Sequence, residues 1–129
     1  MALLDKAKPV DVAIDRAHNL AKWGQHVRAM ELLEGELDSP ELPGGSCYNA
    51  ACVLSRASAA AAADTEMGDE ERMKLAQEYA DRAIELLQRA KELEYFERET
   101  ARQGLRRDAD LAAIRDREDF QQLLRGTGD

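Results

Sequence analysis

The sequence has no apolar run approaching the roughly 20 residues that cross a bilayer, and Met1-Ala2-Leu3-Leu4-Asp5-Lys6 lacks the apolar core of a signal peptide. It also lacks a basic segment. Residues 1–43 carry 5 basic and 8 acidic groups, residues 64–95 carry 5 and 10, and residues 96–129 carry 7 and 8. A nucleic-acid surface needs a basic face to meet phosphates, and an anionic membrane repels a chain of net charge −8. Neither is an expected partner. Aromatic residues make up only 5%, Val and Ile are scarce, and no run alternates as a half-buried strand would. Cys47 and Cys52 are the two cysteines. Five residues on a helix turn through about 140°, so the two thiols face different ways and cannot pair. Unpaired thiols fit a reducing, cytoplasmic setting, as small core or groove residues.

Chemistry-bearing patterns are missing as well. His18 and His26 stand eight apart, with His26 expected in the turn between the first two helices, and no Cys, His or acidic cluster has metal-ligand spacing. The serines have neither a nearby His nor a strained, Gly-flanked turn, which argues against a hydrolase. Glu70-Glu71 and Glu118-Asp119 fall where helices start, and the helix dipole accounts for them. No catalytic residue, metal or cofactor is expected, and the chain reads as a non-enzyme.

What is present is helix. Ala, Leu, Glu and Arg dominate, and each keeps most of its side-chain freedom in a helix. The expectation is one all-α domain over residues 1–129. Ile14, Ala17 and Ala21 step at helical spacing from about Val10 to Trp23, and Gly24 suits a left-handed cap. Trp23, at the helix end, is expected to pack. A second helix runs from Val27 to Leu37 and stops before Pro40. Ser46 is the expected N-cap of a third helix, which the Ala59–Ala63 run extends. Asp64–Glu71 forms an acidic break in which Asp64 or Asp69 could cap the next helix. Met73, Ala76, Ala80, Ala83, Leu87 and Ala90 mark a fourth helix over 70–94, with Met73 and Ala76 facing the poly-Ala stretch. A fifth helix over 98–106, a turn at 108–114 and a terminal helix with Phe120, Leu123 and Leu124 complete the chain.

The helix pairs repeat. Arg28-Ala29-Met30-Glu31-Leu32-Leu33 matches Arg82-Ala83-Ile84-Glu85-Leu86-Leu87 except at Met30 and Ile84. Ala17 and Ala51, the small packing residues of the preceding helices, are 34 apart, whereas Ala29 and Ala83 are 54 apart. The difference is a 20-residue insertion inside the second pair, made of the poly-Ala and acidic segment. Tyr48-Asn49-Ala50-Ala51 resembles the opening of a tetratricopeptide repeat, and Asp81 to Ala90 resembles its second helix. The chain is therefore similar to that family over about residues 10–125. Repeat one covers about 10–40, repeat two about 46–95, and a degenerate third repeat or cap about 97–125. Glu36 departs from the family's small residue, and the third repeat lacks its second-helix alanine. The order Tyr48-Asn49-Ala50-Ala51-Cys52, Ala-rich insert, repeat helix, then Asp108-x-Asp110-Leu111 through Leu124 is similar to C-terminal repeat regions of large bacterial serine/threonine kinases. No phosphate loop or catalytic loop of a kinase is present.

The resemblance implies a short solenoid that binds a peptide or partner domain in the groove formed by the first helices of each pair. Projected on this chain, the groove holds His18, Asn19 and Lys22, then Tyr48, Asn49, Cys52 and Arg56, then Arg98 and Arg102. A carboxylate clamp of the chaperone-binding kind is incomplete, because Ile14 and His18 stand at two of its positions. The basic groups nonetheless favour an acidic ligand. The alternative is a structural element that homodimerises through its bare Ala face; the chain is thus expected as a monomer or a homodimer.

Overall fold

A computed structural model describes residues 9–127, and every element among them is helical. The reading of Met1 to Lys6 lies outside that span. The order is α1 (Pro9–Lys22), α2 (His26–Leu33), α3 (Gly44–Ala62), α4 (Asp69–Glu92), a 3₁₀ turn (Tyr95–Glu97), α5 (Glu99–Arg107), a 3₁₀ segment (Ala109–Ile114) and α6 (Glu118–Gly126). No helix is long and apolar enough to cross a membrane among the described residues.

Helix α1 packs on α2 and α3, α3 packs on α4 along its length, and the 3₁₀ segment lies across α3. Small residues make this possible. Ala17, Ala29, Ala51 and Ala83 are all completely buried, so the helices approach closely at each of the expected positions. Gly24 adopts φ +84°, and the bonds Gln25 N–H to Leu20 O (2.8 Å) and Gly24 N–H to Ala21 O (3.0 Å) close α1 in a Schellman turn.

Helix α2 is shorter than its apolar pattern. It ends at Leu33, because Glu34 turns extended and Gly35 takes φ +82°, a conformation without steric cost for glycine. Leu37 reaches the core from the loop instead. Arg89 fixes that loop by donating to the carbonyls of Leu37 and Ser39.

Helix α3 begins at Gly44, after an extended Pro43, so Ser46 lies inside the helix and is not its cap. Its hydroxyl donates to Asp11 Oδ1 at 2.7 Å and ties α3 to α1. The poly-Ala run does extend α3, to Ala62, and one side of this end of the helix packs inside the chain, while Ala59, Ala62 and Ala63 are exposed. Ala57 and Ala61 are fully buried, and Ser58 Oγ donates to Ala76 O across the α3–α4 contact at 2.8 Å. Met73 does not join this contact: it is 59% exposed, and the side of α4 that packs runs through Ala76, Tyr79, Ala80 and Ala83. One turn before Ala76 that side carries Arg72, half-buried and paired with Asp69 at 2.8 Å. Neither Asp64 nor Asp69 caps α4; Gly68 occupies that position without a side-chain bond. Trp23 is 82% exposed, so it does not pack: it follows the last turn of α1 and points away from the core.

Candidate binding face

The expected groove side chains separate into two groups. Tyr48, Cys52 and Arg56 step by four along α3 and so share one side of it, with His18 on the neighbouring α1. These four converge on two carboxylates that the chain itself supplies. Asp108 precedes the 3₁₀ segment and caps it, accepting from Asp110 N–H at 2.9 Å. Its other oxygen accepts from Tyr48 Oη at 2.9 Å and from the Cys52 thiol at 3.8 Å. Asp110 Oδ1 accepts from Arg56 Nε at 2.6 Å, and its Oδ2 lies 3.0 Å from His18 Nε2.

The remaining members lie elsewhere. Asn49 and Lys22 are exposed, and Asn49 makes no side-chain hydrogen bond among the described residues. Asn19 looks to the other side of α1, onto a hollow of about 500 Å³ shared with Arg28 and Leu32 of α2. Arg102 donates to Phe96 O at 2.8 Å and Glu97 O at 2.9 Å, bracing the α4–α5 connection. Arg98 lies over the Tyr95 ring, 5.9 Å from its centroid.

The segment that fills this face is anchored in the core. Leu111, Ile114 and Phe120 are completely buried. Arg115 donates to Leu105 O (3.1 Å) and Asp108 O (2.6 Å), joining the last turn of α5 to the segment, and stacks 5.6 Å from the Phe120 centroid. Arg117 bridges Asp119 and Asp81, fastening α6 to α4. Electrostatics follow from this burial. Desolvation would raise the Asp110 carboxyl, but the Arg56 hydrogen bond and His18 outweigh it and hold the group below its ordinary value. Burial, reinforced by Asp108 and Asp110, pushes the Cys52 thiol well above its usual range. Burial, with Cys52 and Asp108 beside it, does the same to the Tyr48 hydroxyl.

Cys52, Asp108 and Asp110 bring three potential ligand atoms within 4.8 Å of one another. Their chemistry is that of a hydrogen-bond cluster. The ligand atoms already serve one another and their neighbours: Asp108 Oδ2 accepts from Tyr48 and Cys52, and the Arg56 guanidinium occupies an Asp110 oxygen.

A second polar knot involves His26, expected in a turn but found buried at the first position of α2. Its Nδ1 lies 3.1 Å from Tyr79 Oη, and its Nε2 lies 2.9 Å from Asp64 Oδ2. The His26 bond, with that from Glu66 N–H, holds the Asp64 carboxyl below its ordinary value.

Across α3 from the filled face, α2 and α4 leave a hollow of about 540 Å³. Val27, Met30, Leu37, Leu54 and Tyr79 form its apolar floor. No protein-family model matches the chain, no curated protein matches it, and no solved structure matches it. The chain's own two faces therefore carry its functional reading.

Proposed function

We propose that the chain is a protein–protein interaction module, a short stack of tetratricopeptide-like helix pairs that serves as a docking or regulatory part of a larger signalling protein. The pairing of α1 with α2 and of α3 with α4 supports this reading, with α1 beside α3 and buried alanines at the contacts. No catalytic step is assigned to it. The observation that carries the reading is the contrast between the two faces. The inner face, on α1 and α3, already holds Asp108 and Asp110, whereas the hollow between α2 and α4 is open and apolar-floored. Such a hollow suits the anchor side chains of a partner. Docking is accordingly assigned to the outer face.

The test is affinity capture from the parent cells with three baits: the unaltered chain, Asn49→Ala/Arg56→Ala, and Val27→Glu/Met30→Glu. A partner retained by the first two baits and lost by the third supports outer-face docking. The reverse pattern returns binding to the inner face.

Homodimerisation is the second reading, and the exposed Trp23 favours it. Val12, Arg16 and Asn19 step by four and three along one side of α1, Trp23 continues that spacing just past its end, and Leu32 of α2 is exposed as well. The Ala-rich stretch supports it less, since Ala57 and Ala61 are buried within the chain and only Ala59, Ala62 and Ala63 are exposed. Light scattering decides: a dimer that becomes monomeric in Trp23→Ala establishes the assembly role.

A further inference from the structure

We infer that the hollow between α2 and α4 receives a cationic amphipathic segment of a partner protein, with two apolar anchors one helical turn apart and Lys or Arg around them. This rests on the outer-face docking proposed above and adds the chemistry of the partner.

Shape comes first. The hollow exists because α2 stops after eight residues at Leu33, just before Gly35, while α4 continues for 24, so Leu54 of α3 is left as floor between them. Eight helical residues rise about 12 Å, enough to flank two successive turns of a docked helix. Anchors at i and i+4 fall on one side of such a helix and match this length.

Both ends are fixed by side-chain bridges. At one end His26 joins α2 to Tyr79 of α4 and to Asp64 of the α3–α4 turn. At the other, Arg82 donates to Asp38 at 2.7 Å and Arg89 to Leu37 O at 3.2 Å. The basin is therefore pre-formed, and a ligand need not order it.

Charge selects the occupant. Glu31, Glu34, Asp38 and Glu78 stand on the rim. Among the described residues the one basic rim residue, Arg82, already pairs with Asp38 and Glu85. Among the described residues Glu31, Glu34 and Glu78 make no ion pair, and the whole chain carries −8. An acidic or phosphorylated segment would be repelled, whereas Lys and Arg around the anchors would complement the rim.

The experiment uses the full ¹⁵N-labelled chain and three synthetic helical peptides sharing Leu anchors at i and i+4. Their flanking positions carry Lys, Gln or Glu. The expected result is that the Lys peptide shifts the amides of Val27, Met30, Gly35 and Tyr79 and binds at least tenfold tighter than the Glu peptide. Glu34→Lys/Glu78→Lys, two exposed changes checked for fold by circular dichroism, should weaken the Lys peptide tenfold or more. Equal binding of the Lys and Gln peptides at these amides overturns the cationic preference and leaves outer-face docking intact. Shifts confined to another surface, such as the acidic turn over 64–71, overturn the site. If all three peptides leave the α2 and α4 amides unmoved, both the inference and the docking reading fall.

Discussion

The inner and outer faces of the helix stack differ in what covers them. On the inner face, four side chains of α1 and α3 meet two carboxylates of the same chain, and the segment bearing those carboxylates is held by buried Leu111, Ile114 and Phe120. On the outer face, α2 and α4 diverge over an apolar lining, of which Val27 is 53% exposed. A groove rich in hydrogen-bonding groups is thus no sign of a free binding site, since such groups can be satisfied internally. The open apolar surface with unpaired charges is the better indicator.

Substitutions should separate the faces by their effect on stability. The largest effect is expected at Phe120, whose ring anchors the segment that closes the inner face. Phe120→Ala should cost about 3–5 kcal/mol in urea unfolding, with the midpoint falling at unchanged slope. Ala83→Leu, which forces a larger side chain between α3 and α4, should cost about 1–3 kcal/mol and lower the melting temperature clearly.

Asp110→Asn comes next, at about 1–2 kcal/mol, because it removes a charge-assisted acceptor from Arg56 and His18; Arg56 is partly solvated, which keeps the loss modest. The same group gives a pH dependence. Its carboxyl is depressed in the folded chain, so its stabilisation is complete above the unfolded carboxylate value of about 3.9. That stabilisation is lost as pH falls through the lower, folded value. Urea midpoints measured from pH 6 downward should therefore converge for the native chain and Asp110→Asn. Val27→Glu on the outer face should change stability by no more than about 0.5 kcal/mol, while abolishing partner capture. A large loss of stability there would break the distinction between the faces.

Much of the fold was legible from local chemistry. The three- and four-residue steps of α4, the left-handed Gly24, the buried Ala17, Ala51 and Ala83, and the poly-Ala extension of α3 all follow from rules acting within a few residues. The misreadings concern choices that depend on distant partners. Ser46 is a good cap by type, yet its hydroxyl finds Asp11, 35 residues away. His26 looked like a turn residue because its partners, Asp64 and Tyr79, lie 38 and 53 positions off. Met73 was expected to pack because it continues the three- and four-residue steps of α4, and Trp23 because it closes α1, yet both are exposed where no neighbouring element covers them.

The candidate site follows the same division. His18, Tyr48, Cys52 and Arg56 do gather on one face, but the residues that occupy it stand 54 to 92 positions away in sequence. One local signal was available: Asp108-x-Asp110 before an apolar residue is the pattern of an Asp-capped turn presenting a second carboxylate. It marks a well-made turn and does not show what the turn covers.

Native-state amide hydrogen exchange tests most directly whether the inner face is permanently closed. If residues 108–124 form part of the core, the amides of Leu111, Leu123 and Leu124 should open only with the global unfolding that exposes Val53 and Leu54 of α3. Exchange of those three amides through a separate opening, several kcal/mol easier than that of α3, would contradict the account. The segment would then be a displaceable occupant, and the inner face a binding site after all.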